Sequence, residues 1–200
     1  IEEPYADAVS NFVNVADTDF SLAQNQRWIA EVVGRWRERE LEPIPLQING
    51  EWIHTDKQAE GHNPSRPGEV AYRYALATPD HINAALDIAV AAQPAWARRG
   101  SKERKELLVR VADVFAQRRG DFIGAMTIDG GKTVEQSDPE ISEAIDFANY
   151  YARSFDQDSM DDVTFTPYGV VLVTPPWNFP MAIPAGGALS ALMADRKSVV

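Results

Sequence analysis

The segment that most restricts the fold is Tyr168-Gly169-Val170-Val171-Leu172-Val173-Thr174, an almost unbroken apolar run. A strand with one face in water alternates apolar and polar residues, whereas a continuous run suits a strand covered on both faces, as in a parallel sheet. The residues that follow agree with that setting. Pro175 to Pro180 is a turn, Met181 to Ala194 reads as a helix of small residues with Pro184 in its first turn, and Ser198-Val199-Val200 begins another strand. Strand, turn, helix and strand over about 30 residues make a βαβ unit, for which a right-handed crossover is expected. The fold class expected is therefore α/β.

Upstream, the patterns are mostly helical. Trp28, Ile29, Val32, Val33 and Trp36 form the stripe of a helix over 26–39, which the prolines of Leu41-Glu42-Pro43-Ile44-Pro45 break. Such a stripe is read as packing of a surface helix on its neighbour. Leu46 to Trp52 is a hairpin, because Asn49-Gly50 tolerates the positive φ angles of a type I′ turn. Glu69 to Ala75 alternates weakly and reads as a strand. Thr78-Pro79-Asp80 opens a helix with Ile82, Ala85, Leu86 and Ala89 inward, and Pro94 and Gly100 are expected to bracket a break. Ser101 is expected to cap the next helix, with Leu107, Leu108, Val111 and Phe115 inward. Asp121 to Asp129 is a third helical stretch, stopped by Gly130-Gly131. Gly131-Lys132-Thr133 is not a phosphate loop, since that loop needs glycine where Met126 stands. Ser137-Asp138-Pro139-Glu140 reads as the capping box of a fourth helix. Its inward stripe is Ile141, Ala144, Ile145 and Ala148, with Glu143, Phe147 and Tyr150 away from the stripe's middle. Asp156 to Asp162 reads as an exposed loop.

Composition removes several function classes. Thirty acidic against 19 basic residues give a formal net charge of −11 over 200 residues. Nucleic acid is not an expected partner, because duplex binding needs a cationic face against the phosphates. The eight bases and three acids between Arg98 and Arg119 read as a solvated helix face. No apolar run approaches the roughly 18 residues of a membrane-spanning helix. The chain has no cysteine, so it contains no disulfide framework, thiolate metal site or cysteine nucleophile, and no metal site is assigned. The acidic start, Ile1 to Val9, lacks a signal-peptide pattern, and a cytoplasmic location is expected. The absent initiator methionine and the end at Val200, in mid-strand pattern, suggest a piece of something longer.

In an open parallel sheet ligands bind off the carboxyl ends of the strands, where Thr174 to Phe179 falls. Three prolines, Pro175, Pro176 and Pro180, stiffen this turn, and Trp177 and Phe179 are spent on it. Stiffness is useful where a polar group must be held against a reacting atom. Asn178 is that group: its amide offers two donors and carries no charge. The residues alone leave two readings open, an oxyanion donor or an amide that only satisfies the turn's backbone.

Pro167-Tyr168-Gly169-Val170 followed by Pro176-Trp177-Asn178-Phe179-Pro180 resembles the aldehyde dehydrogenase superfamily. Asn63-Pro64, the hairpin, the Thr78-Pro79 helix, Trp96 and Gly131-Lys132 agree, so the resemblance runs from about residue 44 to residue 200. Thr174 to Gly187 and Ser142-Glu143-Ala144-Ile145-Asp146-Phe147 are similar to the glutamate-γ-semialdehyde dehydrogenase branch, especially its bifunctional proline-utilisation members. Asn11 to Asn14 and Asp17 to Ser21 resemble the segment that follows the proline dehydrogenase barrel in those members.

The resemblance implies an incomplete Rossmann-type NAD-binding domain, residues 44–200, with N-terminal helices and a hairpin, behind a linker or arm of residues 1–43. It implies NAD-dependent oxidation of an aldehyde, a small-molecule substrate, through a cysteine thiolate located elsewhere in the enzyme. The match makes Asn178 an oxyanion donor, places the cofactor along Thr174, Pro175, Pro176 and Trp177, and assigns Phe179 and Glu143 to the substrate side. A homo-oligomer is implied for the full-length protein, and FAD only if a proline dehydrogenase domain precedes residue 1. Another branch, such as one for succinate semialdehyde, and a non-catalytic interaction module are the alternatives. The family usually has a Gly-Asn turn where this chain has Asp195-Arg196-Lys197.

Overall fold

In the computed structural model, which describes residues 12–154, 166, 168–194 and the backbone of 197–199, the residues form two compact units. One comprises the described residues of Thr18–Ile88 and Arg119–Asp138; the other comprises those of Ile1–Asp17, Ala89–Arg118 and Pro139–Val200. Asp156 to Asp162 and Asp195-Arg196 lie outside the described residues.

In the first unit, helix α1 (Ala23–Glu38) packs its tryptophan stripe on helix α4 (Arg119–Asp129). Two glycines of α4 make the approach possible. A Cβ on Gly120 would come 3.0 Å from Val32, and one on Gly124 would come 2.1 Å from the Trp36 ring. The stripe thus docks the helix on its neighbour, as its spacing predicts, with Val32 buried and Trp28, Ile29, Val33 and Trp36 half-buried. Strands β1 (Leu46–Ile48) and β2 (Glu51–Ile53) form the hairpin, with Asn49 at φ 56° and Gly50 at φ 82°. Strand β4 (Val70–Ala75) pairs antiparallel with β3 (Gln58–His62), a polar strand without an apolar face to announce it. Gly61 in β3 is required because the Tyr72 ring occupies the place of its Cβ. The stop of α4 is also as expected. Gly131 takes φ 62°, and the Gly130 and Lys132 amides both donate to the Met126 carbonyl.

Tyr72 donates its hydroxyl proton to Asp129 at the end of α4. Burial, then the hydrogen bond to Asp129 and its negative charge, push the Tyr72 pKa well above the ordinary 10.0. A raised folded-state value means that the contribution to stability is complete below the ordinary tyrosine pKa and is lost as pH rises through the folded value. The melting temperature should therefore fall from about pH 10 upward. Tyr72→Phe should flatten that alkaline limb, and unchanged curvature in the variant would count against the assignment.

Helix α2 (Pro79–Ala97) starts as predicted, with the His81 amide donating to the Thr78 hydroxyl at 3.4 Å. The break expected between Pro94 and Gly100 falls at Arg98-Arg99: the helix runs through Pro94 to Ala97, and the next begins at Gly100. Proline deletes one amide donor and so forfeits one i−4 bond, and only three residues of helix follow. Helix α3 (Gly100–Gln117) begins ahead of Ser101, which is buried in its first turn and does not cap it.

Helix α5 (Val134–Ser154) starts one turn before the expected Ser137 box. Thr133 and Gln136 form the capping box instead: the Gln136 amide donates to the Thr133 hydroxyl at 3.2 Å, and the Thr133 amide donates to Gln136 Oε1 at 3.1 Å. Ser137 and Glu140 are released for other work. Ile141, Ala144, Ile145 and Ala148 are buried, as the stripe predicts.

Strand β5 (Val170–Leu172), helix α6 (Ala182–Met193) and strand β6 (Lys197–Val199) form the expected βαβ unit, with β5 and β6 parallel. The expectation that β5 is covered on both faces is not met: Leu172 is 65% exposed. Among the described residues β5 has β6 as its only strand neighbour. Val173 reaches α6, where a Cβ on Gly187 would come 2.8 Å from it. Trp96 Nε1 and Arg104 Nε donate to the Leu192 and Met193 carbonyls at 3.1 Å each, tying α2 and α3 to the carboxyl end of α6. Among the described residues no helix is long and apolar enough to cross a membrane.

Candidate functional site

The carboxyl end of β5 opens into a groove of about 350 Å³. Its floor is Val173, Thr174, Pro175 and Pro176, and α6 contributes Ile183, Gly186 and Gly187. Phe147 and Tyr151 of α5 form the opposite wall, stacked with ring centroids 5.6 Å apart and planes 1° apart. The close approach of α5 and α6 depends on Gly186, whose Cβ would come 3.0 Å from the Phe147 ring. A continuous apolar strand, a proline turn and a helix with two adjacent glycines thus yield an open slot with one aromatic wall.

Of the residues singled out by sequence, Thr174, Pro175 and Pro176 line this slot. Trp177, Asn178 and Phe179 project from the same turn and are exposed, Trp177 at 80%. Glu143 lies elsewhere, exposed in a second hollow of about 620 Å³ between α5 and the segment Phe12–Asp17. The two hollows share Phe147 and Tyr151. Asp146 fixes the wall of the second hollow by accepting from Asn14 Nδ2 at 2.7 Å and from the Val15 amide at 2.9 Å. Phe12 meets Tyr150 edge-on at 5.4 Å. Burial first, then the neighbouring Tyr150 and Glu143, push the Tyr151 hydroxyl above its ordinary pKa. Tyr151 is therefore a neutral donor next to the slot at physiological pH.

One residue that sequence reasoning assigned elsewhere belongs to this region. Glu140 is 3% exposed, and its Oε2 accepts from the Met181 amide at 3.1 Å and the Ala182 amide at 3.2 Å. It does not close a capping box on its own helix; it caps α6 from the side. The amino end of α6 is where a nucleotide phosphate commonly docks in such folds. Here a carboxylate already holds its first donors, so a phosphate of a bound nucleotide must find other donors.

Residues 52–200 match the aldehyde dehydrogenase family. The 1-pyrroline-5-carboxylate dehydrogenase of Oceanobacillus iheyensis is 32% identical over 190 residues, covering 90% of this chain and 37% of that protein. The protein of the same name from Staphylococcus saprophyticus is 32% identical over 199 residues, covering 94% and 39%. A crystal structure of 1-pyrroline-5-carboxylate dehydrogenase from Thermus with bound NAD superposes with a TM-score of 0.87 at 29% identity, covering 94% of this chain and 39% of that one. Proline utilization A from Bdellovibrio bacteriovorus shares the fold, with a TM-score of 0.86 at 23% identity over 99% of this chain and 21% of that one. The chain thus spans less than two fifths of the length of these relatives. The βαβ unit with its proline-stiffened turn lies wholly within the matched residues, and the chain belongs to the aldehyde dehydrogenase family.

Proposed function

We propose that this chain is the opening part of an NAD-dependent dehydrogenase that oxidises L-glutamate γ-semialdehyde to glutamate. The observation that carries the reading is the slot at the carboxyl end of β5, which ends in a turn stiffened by Pro175, Pro176 and Pro180 and bearing Asn178. Residues 44–200 would be the first part of the nucleotide-binding domain and residues 1–43 the arm leading into it. Residues beyond Val200 would supply the cysteine nucleophile, which these 200 residues lack.

NAD suits the slot. Thr174 to Trp177 offer backbone along its edge, and Phe147 and Tyr151 give it an aromatic face. The capped end of α6 agrees with the absence of a G-x-G-x-x-G loop, since α6 is not free to take the pyrophosphate. When bound, NAD accepts the hydride of the aldehyde. The chain's own part is to line the cofactor slot with Thr174, Pro175, Pro176 and Trp177 and to donate from the Asn178 amide to the oxygen that becomes negative. Phe179, on the same turn, would line the aldehyde's path. Glu143, in the second hollow, would serve the far end of the substrate. The enzyme would act in the cytoplasm as a homo-oligomer, and FAD would enter only with a proline dehydrogenase domain ahead of residue 1.

The deciding assay uses the full-length protein with NAD and either glutamate γ-semialdehyde or succinate semialdehyde. Preference for the first in kcat/KM is the expected result. A preference for succinate semialdehyde would move the protein to another branch, and no NAD reduction with either aldehyde would overturn the catalytic reading.

A further inference from the structure

We infer that Glu140 is a positioning residue for the Asn178 turn, acting through the amino end of α6; this rests on the role proposed for Asn178. An α-helix leaves its first four amides without partners inside the helix. In α6 these belong to Met181, Ala182, Ile183 and Pro184, and Pro184 has no amide hydrogen to satisfy. Met181 is the capping residue, its carbonyl accepting from the Ala185 amide at 3.1 Å, but its side chain provides no cap. Glu140 on α5 accepts from two of the remaining three donors, Met181 and Ala182. A carboxylate there also complements the positive end of the helix dipole.

The position of this cap gives it a role beyond stabilising the helix. Met181 follows Pro180 directly, so Glu140 grips the backbone three residues from Asn178. At the other end of the turn, Val173 is seated against Gly187 of α6. The turn is therefore held at both ends. Glu140 holds one end to α5, and Gly186 lets α6 pack directly on the Phe147 ring of α5. Buried charge needs partners of this kind to be tolerated at all. Loss of the carboxylate would release two amides and let the Pro180–Met181 corner shift. A displacement of about 1 Å at a reacting group can cost on the order of 10²-fold in rate.

The test is a kinetic cycle on the full-length enzyme with Glu140→Ala, Glu140→Gln, Asn178→Ala and the Glu140→Ala/Asn178→Ala double variant. Glu140→Ala should lower kcat by roughly 10-fold to 10²-fold with little change in KM for NAD. Glu140→Gln keeps an acceptor oxygen without the charge, and its kcat should fall between that of Glu140→Ala and that of the unchanged enzyme. The double variant should be no slower than Asn178→Ala alone, because residues acting as one unit are not additive. The Met181 and Ala182 amides should exchange hydrogen faster in Glu140→Ala. Rate losses that multiply in the double variant would overturn the proposal, as would full turnover of both Glu140 variants beside a slow Asn178→Ala. Full turnover of Asn178→Ala itself would overturn the assignment of Asn178, and this proposal with it. Should Glu140→Ala fail to fold, Glu140→Gln carries the same cycle.

Discussion

Asn178→Ala in the full-length enzyme is expected to lower kcat about 10²–10³-fold, a loss of roughly 3–4 kcal/mol of transition-state stabilisation. The argument starts from charge. Attack of a thiolate on an aldehyde turns a neutral carbonyl oxygen into an oxyanion, and a neutral amide donor gains interaction energy as that charge grows. The donor helps most if it need not reorganise. Pro176 and Pro180 restrict the backbone on both sides of Asn178, and Glu140 holds the amides that follow. NAD affinity should change little, because the slot is lined by Thr174, Pro175 and Pro176 rather than by Asn178. Steady-state kinetics with NAD and aldehyde varied separately would show the loss in kcat with KM for NAD nearly unchanged. Asn178→Asp should be at least as slow, since it replaces a donor with a negative charge beside a developing one. If Asn178→Ala kept full turnover and only melted earlier, the amide would serve the turn and not the reaction.

Sequence patterns are most informative where one residue type has few structural uses. Asn49-Gly50 with positive φ at both positions, Gly131 as a left-handed stop, and the Ile141–Ala148 stripe are of this kind, and each occurs where its pattern puts it. The parallel βαβ unit was legible for the same reason, through its apolar strand and small-residue helix. Other features depend on a distant partner and leave no local mark. Strand β3 is polar and contains a glycine, and its pairing is set by β4 and the Tyr72 ring. Two adjacent capping patterns, Thr133-x-x-Gln136 and Ser137-x-x-Glu140, compete for the start of α5 on local grounds. The second is unused because Glu140 turns to α6, 41 residues on from it at Met181. The exposure of Leu172 depends on what packs on its face of β5, which the strand's own composition does not specify. In the site, the turn was legible from its prolines and its resemblance. The walls from Phe147, Tyr151 and Gly186, and the cap from Glu140, arise only when α5 and α6 pack together.

The largest effect on stability is expected from Asp138→Ala, at about 3–5 kcal/mol, the usual result of removing one partner from a buried ion pair. Asp138 is 1% exposed on its side chain, and Arg119, which donates to it at 2.8 Å, is 13% exposed. The other carboxylate oxygen accepts from the Thr18 amide at 2.6 Å, and the Thr18 hydroxyl donates to the first at 2.7 Å. One carboxylate therefore joins the start of α4 to the backbone just ahead of α1, and alanine would take the carboxylate from the Arg119 guanidinium, leaving its bond to the Asp138 carbonyl, and the acceptor from two Thr18 donors. Thr18→Ala removes one of these bonds and should cost only about 1 kcal/mol. The double variant Arg119→Met/Asp138→Leu removes both charges and should recover part of the loss, because apolar replacement of a buried pair is often nearly neutral. It should not recover all of it, since the Thr18 amide still lacks its acceptor. Denaturant unfolding of the full-length protein should then rank the unchanged chain first, the apolar pair second and Asp138→Ala last. A cost for Asp138→Ala below about 1 kcal/mol would be that of an exposed ion pair. The attachment of the segment before α1 would then have to come from the packing of Trp28, Val32 and Trp36 on Gly120 and Gly124, and not from this carboxylate.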